Sequence, residues 1–282
     1  DRKHMNTGHD EILELAKEKG SSDNVLYPSR ILIQFKTEDI QEAYSKIPEL
    51  AKSKWDAADT LEYLVNSNFN SNVANTLTAS VQLTSTDPIN LTTTQNVEMA
   101  IVSASNGGVS GWSEGTGRYD NLPTGSNGAS WVYMNNTTEK QAWRTSSFGT
   151  NITGSVVSSS LITQGGGAWY ENALTAISRV SQQFISGDSL DTDLDATHFI
   201  HRLMLGPTCY NIAADAHAAF DYWPYAIPEN NGFIIKIPDV VENNVSHSLG
   251  ILNYFSVDTH TIYPPQLCFK WDDSSYSISG SS

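Results

Sequence analysis

The string GDSL at 187–190 is the stretch of this sequence that comes nearest to a catalytic motif. One family of serine esterases uses the same four letters as its nucleophile block, and DATH at 195–198 adds an aspartate and a histidine. A catalytic triad needs its serine and histidine on different elements that converge in space. Ser189 and His198 are only nine residues apart and follow no strand-to-helix turn of an α/β sheet, so the sequence favours a non-catalytic loop.

Three alternating aspartates follow directly, at Asp191, Asp193 and Asp195. On an extended chain they would face one way, and Ca²⁺ prefers such clusters of oxygen ligands. A helix–loop–helix calcium loop needs glycine at its sixth position and glutamate at its twelfth, where this sequence has Ala196 and Arg202. The pattern favours a solvated acidic loop, with a calcium site of another geometry as the alternative.

His198 and His201 are three residues apart on a predicted helix, where they could share a zinc ion. A catalytic zinc site also needs a third ligand and a general base, and the sequence contains no H-E-x-x-H motif. It contains no P-loop and no G-x-G-x-x-G fingerprint, and GGG at 165–167 lacks the flanking strand and helix of a phosphate-binding loop. The sequence therefore predicts no metal, no cofactor and no catalytic residue.

Four tryptophans in a turn-rich part of the chain suggest a binding function. They are Trp112, Trp131, Trp143 and Trp169, and exposed aromatic rings stack on sugars or fill protein pockets. The alternative is internal packing, because large aromatic side chains dominate the burial in cores and interfaces. The composition favours packing, and a ligand-binding role for these four residues is the second hypothesis.

The 282-residue chain has a net charge of −15, and charged residues make up only 17% of it. Phosphate backbones and anionic lipids repel an acidic protein, which argues against binding to nucleic acid or to a membrane surface. No stretch reaches the roughly 18 apolar residues of a membrane-spanning helix. Cys209 and Cys268 are too few for a disulfide scaffold, and we expect two free thiols in a reducing compartment.

The hydrophobic pattern predicts a mainly β protein. Alternating or apolar segments indicate strands at 12–15, 29–35, 76–83, 97–104, 232–237, 250–257 and 266–271. Helical spacing predicts a short helical insertion near 37–66, made of two helices separated by Pro48, and one more helix at 196–206. Strands without regular βαβ alternation favour an antiparallel sandwich. We expect one domain over 1–282, with this insertion and long loops at 105–195.

The last predicted strand has the clearest alternation. Two prolines at 264 and 265 cannot donate to a ladder, so they indicate its start. Within the strand, Leu267, Phe269 and Trp271 are predicted to face the core, with Cys268 and its neighbours on the other side.

Seven sequence blocks occur in one order from end to end of the chain. They are MNTGHDEILEL (5–15), SRILIQF (29–35), GWSEGTGRYDN (111–121), GASWVY (128–133), DATHFIHRLMLG (195–206), NNGFIIKI (230–237) and HTIYPPQLCFKWDD (260–273). This order resembles the DNRLRE-type β-sandwich, a jelly-roll module with an N-x-G turn, an R-x-L-I-x-F strand, a W-x-E-G loop and an N-N-G-F strand. The strings W-x-x-G-T-G-R-Y and H-T-I-Y-P-P-x-L-x-x-x-W-D-D are also similar to those of virion structural proteins of T4-like marine phages, notably cyanophages.

The resemblance implies a jelly-roll β-sandwich without catalytic residues, located in a virion that is assembled in the host cytoplasm. It also implies partners among the other virion proteins, and self-association into a homo-oligomer is a further expectation. We therefore expect a non-enzymatic virion protein bound to the head or tail. The alternative is a carbohydrate-binding module or host-adhesion protein that uses the aromatic loops, and a hydrolase that uses Ser189 and His198 is the third hypothesis.

Overall fold

The structure of the chain is a computed structural model. It describes residues 4–19, 26–49, 77–86, 93–102, 105–106, 109–118, 127–135, 140–143, 166–169, 179–197, 199–200, 203, 230–242, 244 and 249–271. Within these ranges the protein is mainly β and its paired strands are antiparallel, which confirms the predicted class. The longest helix in these ranges has nine residues, and no helix within them is long and apolar enough to cross a membrane.

Three sheets of three or four strands form the framework. Sheet I contains β1 (Ile12–Lys19), β2 (Leu26–Pro28) and β13 (Leu249–Phe255), in the order β13–β1–β2. Sheet II contains β3 (Ile31–Ile33), β5 (Gln95–Ile101), β10 (Arg179–Phe184) and β12 (Phe233–Lys236), in the order β10–β5–β12–β3. Sheet III contains β4 (Leu77–Leu83), β11 (Thr192–Asp195) and β14 (Gln266–Trp271), in the order β11–β4–β14.

Shorter elements lie between the strands of these sheets. Two small hairpins pair β6 (Ser105–Asn106) with β7 (Val109–Ser110), and β8 (Tyr133–Asn135) with β9 (Gln141–Ala142). The helical elements with defined bounds are α1 (Thr37–Ser45), α2 (Asp239–Glu242) and a 3₁₀ turn (Val257–Thr259). The range 105–195, predicted as long loops, thus contains both hairpins and the strands β10 and β11.

The main core lies between sheet II and the other two sheets. Ile33, Met99 and Phe233 from sheet II share one buried cluster with Leu15 from sheet I and Val81 from sheet III. The burial of β4 alternates strictly, as the sequence pattern predicts for a strand with one face in the core. The burial of these apolar side chains is the main stabilising contribution to the fold.

Sheet II is covered on its second face as well. Leu32, Ala100 and Ile234 lie on that face and join a separate buried cluster with Trp143 and Trp169. Their strands read as nearly continuous apolar runs, which is typical of strands buried on both sides. The loops that carry the tryptophans therefore act as a third layer over the sheet.

The predicted helices agree with the structure where it describes them. α1 begins at Thr37 and ends three residues before Pro48, and its Ile40 side chain is buried in the main core. The second predicted helix of the insertion lies outside the described residues. The described residues of the segment 197–203 are helical, and Phe199 contacts Phe233 edge-on at 4.5 Å between ring centroids.

The predicted bounds of the last strand are correct, but the predicted burial of its last residue, Trp271, is wrong. β14 spans Gln266–Trp271, and Leu267 and Phe269 pack against the core. Trp271 is 43% exposed, because it is the terminal residue of a strand whose burial decreases toward that end. The thiol of Cys268 is free and lies on the opposite face of the strand, where it contacts the Gln82 side chain at 3.2 Å.

Tyr254 provides a first test of the core. Its side chain is fully buried and its hydroxyl has no hydrogen-bond partner among the described residues, which costs free energy in the folded state. Burial, with a smaller contribution from the Asp191 carboxylate, raises the pKa of this phenol above its ordinary value of 10.0. The unfolded chain would release the proton near pH 10 while the folded chain keeps it, so this residue makes folding less favourable as the pH rises above 10.

We therefore expect Tyr254→Phe to leave the free energy of unfolding at pH 7 unchanged or to raise it by about 1 kcal/mol. We also expect the variant to lose less stability than wild type between pH 9 and 11. Urea unfolding across this pH range measures both effects. A clear loss of stability at pH 7 would show that the hydroxyl has a stabilising partner.

Candidate functional site: a buried cation–aromatic layer

The GDSL string forms a turn that connects sheet II to sheet III. Gly187 has a φ of +93°, and the amide of Asp188 donates to the Ile185 carbonyl oxygen at 3.1 Å. The Ser189 hydroxyl donates to the Asp191 carboxylate at 3.1 Å and accepts from the backbone amide of the same residue at 3.3 Å. The serine is thus a local turn residue, while His198 and His201 lie outside the described residues.

We expect wild type and Ser189→Ala to hydrolyse p-nitrophenyl acetate at the same background rate, because Ser189 contacts an acid and no base in the described structure. Initial rates at pH 8 measure this, with heat-unfolded protein as the blank. Hydrolysis above the blank that disappears in Ser189→Ala would contradict the expectation.

The three alternating aspartates share an exposed face, as predicted, but each has a different partner. Asp191 accepts from the Ser85 amide at 2.8 Å, and Asp195 accepts from the Thr197 amide at 2.9 Å. Asp193 pairs with Lys270 at 3.2 Å. Among the described residues no group of three or more histidines, cysteines, aspartates or glutamates could hold a metal ion. The calcium alternative thus has no support from the described geometry.

Trp112, Trp143 and Trp169 pack in the buried cluster on the second face of sheet II, and Trp131 contacts the Arg30 guanidinium. Trp143 and Trp169 are 2% and 5% exposed, so no ligand can stack on them in this conformation. The Trp143 indole donates to the Ser130 carbonyl oxygen at 2.7 Å, and the Trp112 indole donates to the Asn231 carbonyl oxygen at 2.8 Å. Together they cover the sheet, which is the packing role that the composition favoured.

Charged residues complete this covering layer, which we call the cation–aromatic layer. It consists of four cations, three carboxylates and two indole rings, from Lys17, Arg30, Glu98, Trp131, Trp169, Arg179, Lys236, Asp239 and Glu242. Strand register places several of them on one face: Lys236 lies opposite Glu98, and Arg179 lies opposite Ala100 in the neighbouring pair of strands.

Arg30 occupies the centre of the layer. Its guanidinium binds Glu242 through two hydrogen bonds, from Nε at 2.9 Å and from Nη2 at 2.7 Å, and Nη1 donates to the Gly166 carbonyl oxygen at 2.7 Å. It also lies over the rings of Trp131 and Trp169, 4.5 and 5.3 Å from their centroids. The side chains of Arg30 and Glu242 are 4% and 2% exposed, so each charge depends on the other for its stability.

Lys236 and Arg179 extend the layer across sheet II. The Lys236 ammonium binds the Asp239 carboxylate and lies 3.6 Å from Glu242. Arg179 forms ion pairs with two acidic residues, Glu98 at 3.1 Å and Asp239 at 2.9 Å. Burial alone would raise the pKa of Asp239, but its hydrogen bonds and ion pairs with Lys236 and Arg179 outweigh burial and hold that pKa below its ordinary value.

Lys17 attaches β1 to the end of α2. Its ammonium donates to the carbonyl oxygens of Val241, at 2.5 Å, and Asn244. These carbonyls belong to the carboxyl end of the helical turn, where a cation is favourable. Burial lowers the pKa of Lys17, and the Glu242 carboxylate offsets part of that effect. One lysine thus connects segments more than 220 residues apart in sequence.

A second buried polar cluster lies beside the layer, centred on Asn6. Its side-chain amide donates to the carbonyl oxygens of Glu114 and Ala129, both at 2.6 Å. Its side-chain oxygen accepts from the amides of Gly8 at 3.0 Å and Gly117 at 3.2 Å. One side chain therefore holds together the N-x-G turn, the W-x-E-G loop and the GASWVY block.

Sequence reasoning missed the layer, although one signal for it was present. Arg30, Glu98 and Lys236 are single charges within or beside strands whose other residues are mostly apolar on both faces. Strands of this kind are covered on both sides, so a charge within them has to be paired. The pattern could have predicted a buried ion network, but the partners on α2 and β10 depend on long-range packing.

The geometry of the layer suits a structural role. A catalytic acid or base needs an accessible position beside a reacting group. Arg30, Lys236 and Glu242 are almost fully buried, and both cations form ion pairs with Glu242. The partly exposed Arg179 forms ion pairs with two acidic residues. The layer can therefore fix strands, loops and α2 relative to one another.

Fold and site together define a mainly β protein of antiparallel sheets with a buried ionic layer. Comparison with protein-family models, curated proteins and solved structures found no significant match to the chain.

Proposed function

We propose that this chain is a non-enzymatic structural protein of a bacteriophage virion. In this proposal it is a jelly-roll β-sandwich subunit that binds the head or tail through contacts with other virion proteins. The proposal depends on the order of the seven sequence blocks, which resembles that of such proteins. The antiparallel sheets around a shared core are compatible with a jelly roll.

The observation that supports a structural role most strongly is the use of the block residues. Asn6, Trp112 and Asn230 donate hydrogen bonds to the backbone of other blocks, and Arg30 donates to the Gly166 carbonyl oxygen. Gly232 has a φ of +72°, and a Cβ there would clash with the Ile33 carbonyl oxygen. These residues hold the architecture together, as expected of sequence blocks that encode a fold.

The carbohydrate-binding alternative receives less support. Sugar recognition by stacking requires exposed aromatic faces. Two of the four candidate rings are buried, and the other two, Trp112 and Trp131, are half-buried and engaged with Asn231 and Arg30. A structural subunit requires none of these rings to be open.

Quantitative mass spectrometry of gradient-purified particles of the phage that encodes the chain tests the proposal. We expect the chain at a fixed ratio to the major head or tail protein, unchanged by a second purification step. A control is any abundant phage protein of infected cells that is not packaged, which should be removed by the same steps. Loss of the chain from purified particles would contradict the proposed function.

A further inference from the structure

The connection between β13 and β14 carries an exposed apolar surface. Val257, Ile262 and Tyr263, which we call the apolar tip, are 65%, 78% and 50% exposed. They are three of the six large hydrophobic side chains that are exposed in the described part of the chain, and they lie within seven consecutive positions. Scattered exposed hydrophobic residues are ordinary, whereas a cluster marks a contact surface.

The backbone that carries the apolar tip is held in place. Ser256 and Thr259 form a reciprocal capping box on the 3₁₀ turn, and His260 closes it in the left-handed conformation with a φ of 51°. The Tyr263 ring stacks near Phe255 of β13, with centroids 6.3 Å apart. An ordered tip loses little conformational entropy on binding, which favours affinity.

Two acidic residues lie at the apolar tip. The Glu11 carbonyl oxygen accepts hydrogen bonds from the Ser256 amide at 3.0 Å and from the Thr259 hydroxyl at 2.5 Å, which places Glu11 beside the turn. Asp258 belongs to the turn itself.

We propose that the apolar tip and its acidic rim, Glu11 and Asp258, dock into an apolar pocket bordered by lysine or arginine side chains on another virion protein. The inference rests on the proposed function and names the kind of partner that this surface fits. Because the rim is negatively charged, it favours a partner surface that carries positive charge at the matching positions. A second copy of this chain fits poorly, because a two-fold contact through this surface would bring two acidic rims together.

Particles assembled in cells that express a tagged chain test the surface. We expect Val257→Ser/Ile262→Ser to lower the amount of tagged chain in purified particles by about tenfold or more, since central apolar contacts dominate interface energetics. The matched control is Val240→Ser/Ile185→Ser, which makes the same chemical change at residues 84% and 50% exposed on other elements. The control should be incorporated like wild type, and both variants should keep the wild-type melting temperature.

The rim is tested separately. Glu11→Lys/Asp258→Lys should also reduce incorporation, whereas Glu38→Lys/Asp39→Lys, which changes the net charge equally on exposed positions of α1, should not. A photoreactive amino acid at position 262 should cross-link to a lysine- or arginine-containing peptide of a different virion protein.

Wild-type incorporation of the tip variant, or cross-links to copies of this chain alone, would overturn the docking surface and leave the proposed function intact. Absence of the tagged wild-type chain from particles would instead contradict the proposed function itself. The two failures are therefore distinguishable in one set of preparations.

Discussion

Replacement of Arg30 by methionine is expected to lower the free energy of unfolding by roughly 3–5 kcal/mol, the range for breaking a buried ion pair. Methionine keeps much of the volume but leaves the Glu242 carboxylate buried without its bidentate partner. It also removes the cation from the rings of Trp131 and Trp169 and the donor from the Gly166 carbonyl oxygen. Urea unfolding followed by tryptophan fluorescence measures the loss, because two indoles report on the same layer.

Two further variants make the Arg30 experiment specific. Arg30→Lys keeps the charge but cannot form the planar pair of hydrogen bonds, so most of the loss should remain. Lys46→Met removes a cation from an exposed pair with Glu42, whose side chains are 70% and 67% exposed, and should change stability little. Wild-type stability in Arg30→Met would show that the layer does not hold the fold together.

Replacement of Asn6 by alanine is expected to cost on the order of 3 kcal/mol, because several buried polar groups lose their partners at once. The carbonyl oxygens of Glu114 and Ala129 would lose their donor, and the amides of Gly8 and Gly117 would lose their acceptor. Hydrogen exchange should show the largest loss of protection at the N-x-G turn and the W-x-E-G loop. Thermal and urea unfolding give the magnitude.

The matched control for Asn6 is Asn96→Ala, on an exposed position of β5. A surface substitution of this kind is expected to change stability by less than about 0.5 kcal/mol. Equal effects of the two substitutions would contradict the role of Asn6 as the connection between three sequence blocks.

The strand pattern of the sequence contained most of what could be predicted about the fold. β4 and β14 were predicted within one residue, because each alternates with one face in the core. β10 was not predicted, since RVSQQF has only weak alternation and is held by its pairing with β5. Register with a distant strand is a tertiary property that local pattern does not contain.

The candidate site could be predicted only in part. Asn6 and Arg30 lie in two of the sequence blocks that carry the resemblance, but their partners lie up to 212 residues away. Asp191, Asp193 and Asp195 were correctly predicted to share one exposed face, because alternation fixes it. The pairing of each with a separate partner depends on the fold, so no sequence pattern could show that their oxygens are already engaged.

A density map of the intact phage particle tests the central claim most directly. We predict a mainly β subunit at repeated, symmetry-related positions of the head or tail, with the loop 256–265 seated against a basic surface of a neighbouring protein. A map in which other proteins explain all of the density of the head and the tail would contradict the claim that this chain is a structural part of the virion.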